Sequence, residues 1–76
     1  MRIYLELIEL LPEGSPEEPD FIRVDVTEWS EEDVGELISI LEEHAKVYEK
    51  YVLQKHVCYH EEGQACGVYV ISGGWP

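Results

Sequence analysis

Four side chains able to bind soft metal ions lie close together near the C-terminal end of the chain. They are His56, Cys58, His60 and Cys66. Alternate residues of a β-strand share a face, so a strand would place the first three side chains on one side of a sheet. A three-residue turn would then bring Cys66 opposite Cys58. Because zinc binds thiolate and imidazole ligands, this pattern permits a Cys₂His₂ zinc site.

The spacing of these residues leaves other interpretations open. It differs from that of zinc fingers and zinc ribbons. Neighbouring same-face residues of a strand lie roughly 7 Å apart, so four ligands reach one ion only if the strand bulges. Alternatively, Cys58 and Cys66 form a cross-strand disulfide, or the four residues simply belong to a sheet face. The sequence offers no third group that would orient a Cys–His pair, and we predict that the protein is not an enzyme.

The charge of the chain is concentrated in its first part. The 76 residues include 17 acidic and five basic side chains, giving a net charge of −12. Residues 1–45 contain 14 of the acidic side chains but only Arg2 and Arg23 as basic ones, whereas residues 46–76 are neutral. A one-sided negative field attracts basic protein surfaces and repels nucleic acid and anionic membranes. We therefore expect a basic protein partner, with no direct nucleic-acid or membrane binding.

Hydrophobic patterning predicts two strands and a helix in this acidic half. Alternation predicts strands over residues 2–11 and Phe21–Thr27, separated by a Pro-rich acidic loop over residues 12–20. Ser30, followed by three carboxylates, predicts a helix N-terminus. Apolar residues at helical spacing predict that the helix continues to about residue 48. They are Val34, Leu37, Ile38, Leu41 and Ala45. Trp29 directly precedes the capping serine and is expected to pack on Val34.

The residue pattern over positions 46–72 predicts a β-hairpin. Its strands span Tyr51 to His60 and Gln64 to Ser72, with a turn at Glu61, Glu62 and Gly63. One face of this hairpin is predicted to be core, formed by Tyr51, Leu53, Val57, Tyr59, Ala65, Gly67, Tyr69 and Ile71. Residues 73–76 are predicted to be a short tail. The chain is then a single α+β domain of order β-β-α-β-β, with one helix on one face of a mainly antiparallel four-stranded sheet.

The helix is predicted to carry a row of carboxylates on its solvent side. Glu32, Glu36 and Glu43 lie opposite Leu37 and Leu41 on a helical projection. The predicted partner-binding residues are Glu28, Glu31, Glu32, Asp33, Glu36 and Glu43. Such a row resembles a nucleic-acid backbone in charge density, and it would fit a surface built for phosphate. The competing interpretation is a face that only keeps the protein in solution.

Three functional hypotheses follow from these observations. The first is a non-enzymatic acidic binding protein without a cofactor, acting as an inhibitor of a nucleic-acid-binding enzyme or effector. Phage-borne inhibitors are similar to it in size and charge alone. The second is a small metal-binding or redox protein that uses the four Cys and His side chains, with zinc as the cofactor. The third is an accessory subunit of a larger complex. We expect a cytoplasmic location, and an open sheet edge would allow a homodimer.

Overall fold

The computed structural model describes residues 1–75, so Pro76 of the predicted tail lies outside the described residues. Four strands and one helix follow one another in the predicted order β-β-α-β-β. They are β1 (Arg2–Glu9), β2 (Phe21–Asp25), α1 (Glu31–Ala45), β3 (Tyr51–Cys58) and β4 (Gly67–Gly73), with a single 3₁₀ turn (His60–Glu62) between β3 and β4. The predicted α+β fold class is therefore confirmed.

All four strands form one antiparallel sheet in the order β2-β1-β3-β4. Strand β1 lies inside the sheet, paired with β2 through a local hairpin and with β3 after the helix has crossed the sheet. The register places Leu7 between Ile22 and Leu53 on neighbouring strands. The alternating apolar residues of β1 and β2 thus share one face with those of β3.

Helix α1 covers that apolar face. It begins after Ser30, whose hydroxyl accepts a hydrogen bond of 3.2 Å from the Asp33 N–H. It packs on β1 and β3, the two inner strands. The buried core consists of Leu5, Leu7, Val26, Leu41, Ala45 and Leu53. Since the predicted apolar stripe of the helix faces this core, its acidic residues point to solvent. Within residues 1–75, no helix is long and apolar enough to cross a membrane.

The helix ends earlier than predicted. Ala45 is its last residue. The next three N–H groups bond to carbonyls three residues back, Lys46 to Glu43 (3.3 Å), Val47 to His44 (3.2 Å) and Tyr48 to Ala45 (3.0 Å). The Tyr48 ring packs against the core and its hydroxyl donates to Asp20 at 3.0 Å. The turn after the helix thereby contacts the residue that precedes β2.

The prediction that one face of β4 belongs to the core is wrong. Tyr69 is 58% exposed and Ile71 is 37% exposed, because α1 lies over β1 and β3 and leaves the edge strand uncovered. Strand β4 also continues to Gly73, one residue beyond the predicted strand and into the predicted tail.

The predicted register of the β3–β4 hairpin is correct in the part nearer the turn. Val57 pairs with Gly67 and His56 with Val68, as the turn position required. The register shifts by one residue between Leu53 and Gln54, where a bulge interrupts the pairing. The strands are shorter than expected, because residues 59–66 form a connection that contains the 3₁₀ turn. Gly63 ends that turn with φ of 74°.

Replacing Gly73 or Gly35 by alanine should have opposite effects on the free energy of unfolding. Gly73 has φ of 69°, and an added Cβ would collide with the Tyr51 carbonyl oxygen, so Gly73→Ala should lower the free energy of unfolding by about 2 to 3 kcal/mol. Gly35 lies within α1 with open space around it, so Gly35→Ala should raise that free energy by about 1 kcal/mol. Urea unfolding of both variants checks this, and an equal effect of the two changes would contradict the described backbone.

Candidate functional site

The sulfur and nitrogen ligands identified in the sequence come together at one end of the sheet. His56 and Cys58 lie on β3, and Cys66 directly precedes β4. The ligand atoms of these three residues lie within 4.8 Å of one another. Both cysteines are free thiols, each partly buried, and the disulfide between them stays a prediction.

His60 joins this group from the 3₁₀ turn. The prediction that His60 shares a strand face with Cys58 is wrong, because β3 ends at Cys58 and the chain turns back. This turn brings His60 Nδ1 to 3.1 Å from Cys58 Sγ and 3.7 Å from Cys66 Sγ. The His60 ring thus contacts both sulfurs. We call His56, Cys58, His60 and Cys66 the Cys–His cluster.

A buried carboxylate adjoins the Cys–His cluster on the helix-free face of the sheet. Glu6, on β1, is 3% exposed. Its Oε2 accepts hydrogen bonds from Arg23 on β2 at 2.8 Å and from His56 on β3 at 3.3 Å. Its Oε1 accepts a bond of 2.8 Å from the Gln54 amide. Burial of Glu6 favours the neutral acid, but the bonds from Gln54, Arg23 and His56 outweigh it and lower the pKa of Glu6.

These contacts decide which nitrogen of His56 carries a proton. An ionised carboxylate only accepts hydrogen bonds, so the Nδ1 atom that faces Glu6 must donate. In the neutral ring, Nε2 then holds a free lone pair. His56 Nε2 and Gln54 Oε1 are both buried, and neither has a hydrogen-bond partner within the described residues 1–75. A buried, unpartnered nitrogen is costly unless a ligand satisfies it.

The thiol of Cys66 is held in its protonated form when no metal is bound. Burial raises the pKa of Cys66, and the hydrogen bond and charge of the neighbouring Cys58 raise it further. A thiol of this kind is a poor nucleophile. Attack by a Cys66 thiolate is therefore disfavoured in the metal-free protein.

The predicted partner-binding carboxylates line the solvent side of α1 and the segment before it. Glu28, Glu31, Glu32, Asp33 and Glu36 are all exposed, and none forms an ion pair with any residue from 1 to 75. Glu43 differs, because Lys46 pairs with it at 2.8 Å. The unpaired charge is thus greatest near the start of the helix. We call these five unpaired residues the acidic helix face.

A shallow surface groove with a mixed polar and apolar lining runs beside the acidic helix face. Trp29, Leu37 and Ile40 line it together with Glu28, Ser30, Asp33 and Glu36. Trp29 is 45% exposed and Ile40 is 64% exposed, so two large apolar side chains lie among carboxylates at the surface. The sequence pattern assigned Trp29 to packing on Val34 and did not single out Ile40.

Comparisons of the chain with protein-family models, with curated proteins and with solved structures find no match.

Sequence reasoning missed the residues that support the Cys–His cluster. Glu6, Arg23 and Gln54 lie far apart in the chain, and only the strand order brings them together. One signal was present in the sequence, since Glu6 is the single charged residue between apolar neighbours from Ile3 to Ile8. Its role could not be read without knowing that β1 lies between β2 and β3.

Replacing the buried carboxylate should alter stability in a pH-dependent way. In the metal-free protein, kept so with a chelator, Glu6→Gln should lower the free energy of unfolding at pH 7 by about 1 to 3 kcal/mol. Because the pKa of Glu6 is lower in the folded state, its stabilisation is present above the ordinary glutamate value and is lost as the pH falls through the folded value. The difference between wild type and variant should therefore shrink below about pH 4. Urea unfolding at several pH values measures it.

Glu36→Gln serves as the control for this prediction. Glu36 is exposed, so its replacement should change stability by less than about 0.5 kcal/mol across the same pH range. A Glu6→Gln difference that stays constant or grows as the pH falls would contradict the network.

Proposed function

We propose that this protein is a non-enzymatic binding protein whose acidic helix face docks on a basic surface of another protein. The observation that carries the proposal is the set of five exposed carboxylates at the start of α1 and in the segment before it, which have no cationic partner among residues 1–75. Uncompensated charge of one sign raises the association rate with a surface of opposite sign.

The exposed apolar side chains of this mixed groove support a protein partner in preference to a simple cation. Protein interfaces combine a few buried aromatic or aliphatic anchors with a polar rim. Exposed Trp29 and Ile40, bordered by Glu28, Asp33 and Glu36, have this composition. The partner surface that fits is therefore basic at its edge and apolar at its centre.

A nucleic-acid-binding enzyme or effector has the required basic surface. Its Arg and Lys side chains converge on phosphate oxygens, and carboxylates present similar acceptors. A small acidic protein on that surface blocks access of the nucleic acid, so the proposed action is inhibition by occlusion. Electrostatic attraction of this kind weakens as salt rises.

Affinity capture tests the proposed docking. The immobilised protein should retain a basic nucleic-acid-binding protein from an extract of its own cells at low salt, and release it at high salt. Duplex DNA added as a competitor should also release that partner. The variant Glu28→Lys, Glu32→Lys, Glu36→Lys should lose at least about ten-fold in affinity for the identified partner, measured by titration with the purified proteins.

A second triple variant distinguishes an effect of the acidic helix face from an effect of net charge. Glu13→Lys, Glu17→Lys, Glu18→Lys changes the net charge equally but alters the exposed loop between β1 and β2. It should retain most of the affinity. Equal losses in the two variants, or a partner that DNA does not displace, would contradict the proposed function. Urea unfolding of both variants controls for loss of the fold.

A further inference from the structure

We propose that the Cys–His cluster binds a single zinc ion through His56, Cys58, His60 and Cys66. This metal site is independent of the acidic helix face. It is built from one strand, the turn that follows it and the first residue before the next strand.

The spacing of the ligand atoms suits a tetrahedral ion. Zinc bonds of about 2.3 Å to sulfur and about 2.0 Å to nitrogen separate neighbouring ligand atoms by roughly 3.3 to 3.8 Å. His60 Nδ1 lies 3.1 Å from Cys58 Sγ and 3.7 Å from Cys66 Sγ. His56 and the two sulfurs already lie within 4.8 Å of one another. His60 contacts both sulfurs but does not belong to this group of three, so its exposed side chain must move towards His56 to supply the fourth ligand.

The hydrogen bond from His56 to Glu6 prepares the ring for a metal. Metal-binding histidines commonly donate their second nitrogen to a carboxylate, which fixes the tautomer and the ring orientation. Here Nδ1 faces Glu6 at 3.3 Å, and the buried Nε2 has no partner within residues 1–75. A metal on Nε2 would satisfy that atom. Glu6 is thus a positioning residue, itself held by Arg23 and Gln54.

Two thiolates and two imidazoles select zinc among the common divalent ions. Calcium and magnesium require oxygen ligands, whereas sulfur and nitrogen in a tetrahedral arrangement favour zinc. Four protein ligands leave no position for water or substrate, so the site is structural. The two thiolates neutralise the charge of the ion, so zinc binding leaves the negative charge of the acidic helix face uncompensated.

The bound ion would fix the β3–β4 connection. Residues 59–66 have no strand pairing of their own, and their backbone bonds are local to the 3₁₀ turn. A metal joining the end of β3, the turn and the start of β4 removes freedom from this segment. Because the ion binds the folded state, it should also raise the melting temperature.

Cobalt(II) and zinc titrations of the reduced protein test this site. Cobalt should bind with a stoichiometry of one and show thiolate-to-metal charge-transfer absorption with the strong visible bands of tetrahedral coordination. Zinc should displace cobalt and raise the melting temperature. The double variant Cys58→Ser, Cys66→Ser should lose the charge-transfer absorption and at least about 100-fold in zinc affinity.

Two histidine variants provide a matched comparison. His60→Ala removes an exposed ligand without disturbing the core, so it should weaken zinc binding by at least about ten-fold while the thiolate absorption persists. His44→Ala alters the histidine near the end of α1, away from the Cys–His cluster, and should bind zinc like the wild type. Equal zinc affinity of the wild type and the serine double variant, or cobalt binding without thiolate absorption, would overturn the proposal.

The role of Glu6 has a separate readout. Glu6→Gln should reduce zinc affinity about 10- to 100-fold while leaving the shape of the cobalt spectrum unchanged, since the four ligands remain. NMR of the metal-free His56 ring should report a proton on Nδ1 in the wild type and a mixture of tautomers in the variant. An unchanged tautomer and unchanged affinity would show that Glu6 has only a structural role.

Discussion

The two faces of β1 have opposite chemistry, and the rest of the structure depends on this difference. Leu5 and Leu7 point towards α1 and form the core, whereas Glu6 between them points to the helix-free face. A buried carboxylate is tolerated only with several donors, and β2 and β3 supply them through Arg23, Gln54 and His56. The position of β1 between β2 and β3 is thus what allows one strand to serve both a hydrophobic core and a polar network.

This arrangement separates the two proposed functional regions. The acidic helix face lies on the solvent side of the layer that covers the core, and the Cys–His cluster lies at one end of the sheet beyond β3. The apolar stripe of the helix packs on the sheet, and the carboxylates near the start of the helix remain unpaired within residues 1–75. The polar network orients His56 from the other face of the sheet. A neutral zinc–thiolate centre would stabilise the hairpin without reducing the negative field. The proposed docking and the proposed zinc site would therefore be separable by mutation in this small domain.

Local patterns predicted most of the fold, and long-range pairing explains what they missed. Alternation in β2, the serine cap of α1 and the glycine of the β3–β4 turn were all interpretable because each acts within a few residues. The turn position even predicted the register around His56 and Val57. The exposure of β4, the burial of Glu6 and the position of His60 depend on strand order, on which strands the helix covers and on where β3 ends. None of these follows from local spacing.

The strand order also governs when the sheet can form. Arg2 pairs with Cys58 and Glu9 with Tyr51, so the first strand finds its inner neighbour only after most of the chain has been synthesised. Until then β1 has only β2 beside it, joined through a long proline-rich loop, and a two-stranded hairpin is marginal by itself. Distant pairings of this kind slow folding, because closing a large loop costs conformational entropy before the stabilising contacts form. The mutual repulsion of the early acidic segments would keep the unfinished chain from self-association during this interval.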